Sequence, residues 1–167
     1  EGQDTETRTE TEPGFSTEGD DSTLINASPE DLIITQEDIS LDGYSLEKQS
    51  TQDGSPSEIN KTFRPDDSTR LEAKVEVYDE VSEAQARYGQ LGYDSLGLGE
   101  SPDTTKELNI AVESKFESGS VDGGSAIFVK LRDANVYGNL IWLSESQEPL
   151  ELQVMGNIAV TMHQMWR

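Results

Sequence analysis

The strongest constraint on the fold is an apolar hairpin pattern that ends at Leu143. Two runs, "SAIFVKLRD" and "NVYGNLIWL", carry apolar side chains at alternate positions, as a strand with a buried face does. Between them, Arg132 to Asn135 form a polar link that suits a turn, in which Asn135 can take a positive φ. The pattern predicts two adjacent antiparallel strands at the heart of the domain, with inward positions Ile127, Val129, Leu131, Val136, Leu140 and Trp142.

The same hairpin supplies the interaction candidates. Arg132 stands at its predicted tip, and Tyr137 and Asn139 fall on the opposite face of the second strand from Trp142. Side chains of these types bind a partner when they are exposed and complete the core when they are buried. The sequence therefore leaves a binding element and a plain structural hairpin as alternatives.

Other alternating runs predict a sheet of about five to six strands. The clearest is "RLEAKVEVYD", which puts Leu71, Ala73, Val75 and Val77 on one face and charged residues on the other. Three more extended candidates are "YSLEKQST", "EINKTFRP" and "ELNIAVESKF", and the Gly-rich "ESGSVDGG" is predicted as the link before the hairpin. Because one face of these strands is polar, we expect antiparallel pairing.

The period lengthens to that of a helix in two segments. Residues 79–92 form a stripe of Val81, Ala84, Tyr88 and Leu91, and residues 149–166 form a second stripe of Leu150, Val154, Ile158 and Met162. Short helical turns are expected between residues 28 and 38, where Ser28-Pro29 and Thr35 with Asp38 are helix-start signals. Clustered strands with two helices predict a two-layer α+β domain, with both helices packed on one face of a twisted antiparallel sheet.

The beginning of the chain is polar and acidic. We expect residues 1–27, rich in Thr, Glu and Gly, to be a flexible tether and residues 28–167 to be a single domain, because the first segment has little apolar surface to bury. Such spacers resemble the stalks of archaeal and bacterial lipoproteins, although a tail without function is the alternative. The first residue is Glu1 rather than Met, so we expect a mature or trimmed product whose targeting segment has been removed, and the sequence leaves open whether a lipid anchor lies upstream. No apolar run is long enough to predict a transmembrane segment.

The charge balance restricts the partners. The chain has 34 Asp and Glu against 12 Lys and Arg, a formal net charge of -22. This excludes a nucleic-acid partner, since phosphate binding depends on clustered cations. Such a surface repels itself in dilute salt, but molar salt screens charges beyond about 3 Å. We therefore predict a halophilic protein; an acidic protein from an ordinary cell is the alternative.

Few residues are suited to catalysis or to metal binding. The chain has no Cys and a single His, His163, which excludes a Cys and His zinc site and thiolate chemistry. A Ser-His-Asp triad would have to use His163, and no Gly-x-Ser-x-Gly elbow is present. We therefore expect no enzyme activity, no catalytic residue, no metal site and no cofactor. Two sequons, at Asn26 and Asn60, are glycosylation candidates if the protein is exported.

Four segments carry a resemblance to a known group over roughly residues 35–166: "LDGYSL", "RLEAKVEVYDEVSEAQARY", "LGLGES" and "IFVKLRDANVYGNLIW". Together they resemble haloarchaeal secreted and lipoprotein-type domains of unknown function, whose late hairpin often has an Arg-x-x-Asn-Val turn. The architecture is similar to the PsbP-like α+β group. Such domains often have Gly-Asp-Glu-Ala where this chain has Gly99 to Pro102, and the resemblance supplies no site residues.

From these features we expect a binding or interaction module outside the cell or on its surface, tethered by the acidic head. Its partner is an unidentified protein or surface component. The alternative is a structural subunit of a surface filament or another homo-oligomeric assembly, in which the head or an edge strand docks on a neighbouring subunit.

Overall fold

The computed structural model describes residues 17–98, 102–121, 124–146 and 148–167. These residues form nine strands: β1 (Thr17–Glu18), β2 (Ser45–Gln52), β3 (Ser57–Asp66), β4 (Thr69–Val77), β5 (Thr104–Glu107), β6 (Ile110–Ala111), β7 (Glu113–Val121), β8 (Gly124–Asp133) and β9 (Val136–Ser144). They also form two α-helices, α1 (Val81–Gln90) and α2 (Leu152–Gln164). Neither helix is long and apolar enough to cross a membrane.

Seven of these strands make one antiparallel sheet, in the order β2-β3-β4-β9-β8-β7-β5. The sheet has one strand more than predicted because residues 104–107 pair at its edge, and β7 runs further than expected, to Val121. Part of "ESGSVDGG" is therefore strand rather than link, while Asp122 and Gly123 lie outside the described residues. The β1 and β6 strands form a separate short parallel pair.

The predicted central hairpin is confirmed, but its turn is tighter than expected. β8 and β9 pair from Ser125 opposite Ser144 to Asp133 opposite Val136, which leaves Ala134 and Asn135 as the turn. The positive φ, 53°, belongs to Ala134 and not to Asn135. Asn135 contributes through its side chain instead, which holds neighbouring segments together.

The two helices cover opposite faces of the sheet, so the prediction that both pack on one face is wrong. Helix α2 lies on the face of Val129 and Trp142, where Gly138 leaves room for the Trp166 ring. Helix α1 and the loop of residues 91–98 cover the other face, above Phe128 and Tyr137. The reason is that β8 is buried on both faces over nearly its whole length, as the continuous apolar run "AIFV" allows.

Residues 17–27 belong to the folded domain, so the predicted tether ends earlier than residue 28. The Ile25 side chain is buried, and Thr17 and Glu18 pair with β6. Residues 1–16 of the predicted tether lie outside the described residues. The expected helical turns are present as two 3-10 helices, Pro29–Asp31 and Gln36–Asp38.

Candidate functional site

The three interaction candidates of the hairpin are buried. Arg132 is 2% exposed, Asn139 is 4% exposed and Tyr137 is not exposed. The Asn139 side-chain amide donates to the Tyr137 hydroxyl, 2.9 Å away, and burial raises the pKa of that phenol. These side chains complete the core under α1, so none of them forms a contact surface for a partner.

Arg132 links segments of the chain that are distant in sequence. Its terminal nitrogens contact the Asp21 carboxylate at 2.8 and 3.2 Å, and its Nε donates to Glu113 on β7. It also donates to the carbonyl of Ala134, 2.9 Å away. Two carboxylates therefore balance one buried guanidinium, as a buried charge requires.

Asp133 is the centre of the same group of residues. Its carboxylate, which is not exposed, lies 2.7 Å from His163 Nε2, 2.8 Å from a terminal nitrogen of Arg167 and 2.9 Å from the Asp20 N–H. Burial alone would raise the pKa of Asp133, but hydrogen bonds from His163 and Arg167 hold it well below its usual range. We call the residues Thr17, Asp20, Asp21, Arg132, Asp133, His163 and Arg167 the hairpin-tip cluster.

The cluster contains a hydroxyl, an imidazole and a carboxylate in line. Thr17 Oγ1 lies 2.8 Å from His163 Nδ1, and the opposite ring nitrogen meets Asp133, as in a nucleophilic triad. However, Arg167 also binds the carboxylate, and the adjoining cleft of about 520 Å³ is lined by Glu18, Asp20 and Asp21. Acidic walls oppose the oxyanion that acyl transfer must stabilise. The arrangement therefore acts as a clamp that joins the start of the domain, the hairpin tip and the last residue.

Asn135 completes the clamp. Its amide oxygen accepts from the Ile25 N–H at 2.7 Å, and its amide nitrogen donates to the carbonyls of Ile25 and Tyr78 at 3.0 and 2.7 Å. One side chain thus imitates a strand partner for a segment of irregular backbone. These hydrogen bonds explain why the turn at Ala134 and Asn135, although its sequence is polar, is nearly inaccessible to solvent.

Polar groups also fix α1 to its face of the sheet. Glu76, which is buried on β4, receives two bonds from Arg87 on α1, at 2.9 and 3.1 Å, and one from the Tyr78 hydroxyl. Lys130 Nζ donates to the carbonyls of Tyr88 and Leu91 near the end of α1, at 2.7 and 2.8 Å. Helix ends leave such carbonyls unpaired, so Lys130 caps the helix from the sheet.

A different surface, at the far end of the sheet from the hairpin tip, is open. A cleft of about 420 Å³ lies between the turn that joins β3 to β4, the ends of β8 and β9, and the loop of residues 91–98. Its basic side is formed by Arg64 and Arg70, and its apolar side by Leu96, Leu98 and Leu143. We call it the arginine cleft; Asp67, Ser68, Thr69, Gly97, Ser125, Ser144 and Glu145 complete its lining.

The register of the sheet arranges the floor of the arginine cleft. Arg70 pairs with Leu143, and Leu143 pairs with Ala126, so these side chains form a row across β4, β9 and β8 on one face. Arg64 follows Phe63, the partner of Leu71, and so lies on β3 beside Arg70. The row is cationic at one end and apolar at the other. Sequence analysis missed this site, although two arginines flanking a turn in so acidic a chain were a usable signal.

Neither glycosylation candidate belongs to the cluster or to the cleft. Asn26 is exposed beside the clamped Ile25, while Asn60 is half-buried on β3 and donates to Glu58 at 2.8 Å. Within the described ranges, no group of three or more His, Asp or Glu side chains is placed to hold a metal ion.

No protein-family model and no curated protein matches the chain. Among solved structures, the fold is similar to the extracellular domain of PknH from Mycobacterium tuberculosis, with a TM-score of 0.51 and 10% sequence identity. The match covers 83% of this chain and 97% of that domain. At this identity the likeness concerns the fold alone, and it assigns no role to any residue of the cluster or of the cleft.

Proposed function

We propose that the protein is a non-enzymatic binding module that works outside the cell or on its surface, with the arginine cleft as its binding site. The observation that carries the proposal is the cleft itself, whose volume of about 420 Å³ is in the range of small-molecule sites. Its lining places three leucines beside two arginines and several hydroxyl side chains, so it offers both apolar contact and polar groups that can fix a ligand's orientation. The buried candidates Arg132, Tyr137 and Asn139 support the scaffold instead.

The location rests on two observations. A solved structure with a similar fold is an extracellular domain, and the polar, acidic composition of residues 1–16 suits a solvated spacer. The net charge of -22 favours a halophilic source, because molar salt screens the repulsion that this charge creates in dilute buffer, and the resemblance to haloarchaeal secreted domains favours an archaeal one. Unfolding on transfer from molar to dilute potassium chloride is the expected result, and a stability independent of salt would contradict the halophilic assignment.

The binding function is tested by screening a library of small fragments against the full chain by NMR. Fragments that bind should shift the amide signals of Gly97, Leu98 and Ser125. Leu143→Glu, which puts a charge on the apolar wall, should abolish these shifts. Leu46→Glu makes the same change at an exposed leucine on β2 and should leave them intact. If fragments bind only elsewhere, or if Leu143→Glu binds them as well as the wild type, the cleft is not the binding site.

A second candidate function is that of a structural subunit in a homo-oligomeric assembly or surface filament. The observation that favours it is β2, which stands at one edge of the sheet and is exposed along its whole length. Edge strands of this kind can pair with another chain.

The two functions predict different masses in solution. Light scattering after size exclusion, in molar potassium chloride, should give a monomer if the protein is a displayed binding module. A concentration-dependent polymer that Thr51→Pro on the β2 edge disperses would support the assembly. Proline removes a backbone donor from that edge, and Thr105→Pro on the opposite edge strand, β5, is the matched control.

A further inference from the structure

The arginine cleft has two chemically different halves, and their order along one row limits what fits. We propose that it binds a monoanionic carboxylate joined to an apolar body, of which a medium-chain aliphatic acid is the simplest example. This proposal rests on the proposed function, because it takes the cleft to be the binding site. It goes further by naming the class of ligand and the residues that recognise each part.

The head of the ligand is assigned to the two arginines. Arg64 binds Glu47 through Nε at 2.9 Å, and Arg70 binds Glu72 through Nε as well. A guanidinium has five N–H donors. Arg64 also donates from one terminal nitrogen to the Asp67 carbonyl at 3.4 Å, and the remaining terminal N–H groups of the two side chains are available to a carboxylate, which arginine binds in bidentate fashion. The Arg70 side chain is 40% exposed, so a ligand can reach it.

The other arginines of the described domain form ion pairs that hold the fold together. Arg87 meets Glu76 through two nitrogens, Arg132 is held by Asp21 and Glu113, and Arg167 is held by Asp133. Each of these pairs includes a buried partner and joins two segments of the fold. Arg64 and Arg70 instead face partners on the surface of the sheet and line an open cleft.

The charge of the ligand follows from the rest of the lining. Asp67 and Glu145 are exposed and also line the cleft, so a dianion such as a phosphate monoester meets repulsion as well as attraction. A single negative charge can be held between the arginines with less of that penalty. In molar salt, repulsion from the distant acidic surface is screened, whereas direct contact with a guanidinium is affected less.

The apolar body is assigned to the leucines. From Arg70, the row reaches Leu143 on the neighbouring strand, one strand spacing or about 5 Å away. Ala126, the next residue of the row, is fully buried and is not part of the cleft lining. Leu96 and Leu98 pack over this end of the row. A chain of methylenes lying along it would bury apolar surface, and each added methylene should tighten binding by about fourfold.

The proposal is tested with hexanoate as the probe, by calorimetry and amide NMR on the full chain in molar potassium chloride. Hexanol has the same apolar body without the charge, and butanoate has the same head on a shorter body. Hexanoate should bind about tenfold more tightly than hexanol, since bonds to a charged group carry that difference, and more tightly than butanoate.

Variants separate the two halves of the site. Arg70→Gln should weaken hexanoate about tenfold and leave hexanol unchanged. Leu143→Ala should weaken hexanoate and hexanol by similar factors. Lys106→Gln, which removes one positive charge from β5 at the other edge of the sheet, is the matched control and should bind both like the wild type.

These experiments distinguish an error in the assigned ligand from an error in the proposed function. Equal affinity for hexanoate and hexanol, with a loss in Leu143→Ala, would refute the carboxylate head while the cleft remains a binding site. Hexanoate binding that is unchanged in Arg70→Gln would also refute the assignment of the head. If neither probe shifts the amide signals of the cleft and the fragment screen gives no signal there either, the proposed function itself is overturned.

Discussion

Replacing Asp133 with Asn removes the charge at the centre of the hairpin-tip cluster. The amide keeps one oxygen that accepts from the Asp20 N–H, but it takes away the charged acceptor of His163 and Arg167. A hydrogen bond to a charged group contributes about 1.5–3 kcal/mol, and breaking a buried ion pair costs about 3–5 kcal/mol. Because the Arg167 side chain is 29% exposed, solvent recovers part of this loss, and we expect a cost of about 3 kcal/mol.

This loss is measured by urea unfolding at a fixed, high salt concentration. A cost of about 3 kcal/mol corresponds to a fall in Tm of about 9 °C for a domain of this size. Asp42→Asn is the matched control, because it makes the same charge change at an exposed position and also relieves the acidic repulsion. If Asp133→Asn loses less than about 1 kcal/mol relative to that control, the pair behaves as a surface ion pair. The clamp would then not stabilise the fold.

Three further predictions concern Asp133, Lys130 and Gly138. Hydrogen bonds keep the pKa of Asp133 below its unfolded value of about 3.9 despite burial. The ionised carboxylate therefore stabilises the fold fully above that pH, and this stabilisation is lost as the pH falls. Acid titration of stability between about pH 5 and pH 2 should therefore be steeper for the wild type than for Asp133→Asn. Lys130→Met removes the cap of α1 and should cost about 2 kcal/mol, with faster amide exchange at Tyr88; unchanged exchange would contradict the capping role. Gly138→Ala brings a methyl group within 2.8 Å of the Trp166 ring and should cost about 1–3 kcal/mol in urea unfolding, whereas an unchanged midpoint would show that the ring moves freely.

Local patterns in the sequence were sufficient for the elements. Alternation in "RLEAKVEVYD" and in the late hairpin predicts β4, β8 and β9, and the change of period after Tyr78 predicts α1 within about two residues of its observed ends. These predictions hold because side-chain direction depends on the local backbone, with a period of two in strands and 3.6 in helices. The edge strand β5 was missed because "TTKE" is exposed at every position and so has no alternation.

The site could not be predicted in the same way. Arg70, Leu143 and Ala126 form one row only because β4 pairs with β9 and β9 with β8, and no local pattern encodes the pairing of residues that are far apart in the chain. For a related reason, the sequence could not decide between a binding role and a structural role for Arg132. A charged residue at a hairpin tip is normally solvated, and it is buried here because Asp21 returns to cover it.

The sequence by itself determined the composition of the surface, the sheet-forming segments and the two helices, since these depend on charge, period and turn residues within a few positions of each other. Only the tertiary structure decided that the helices lie on opposite faces, that residues 17–27 are clamped to the hairpin tip and that two arginines share a cleft with three leucines. The physical reason is that burial and pairing depend on which distant segment covers a residue. That choice is made by the packing of the whole core.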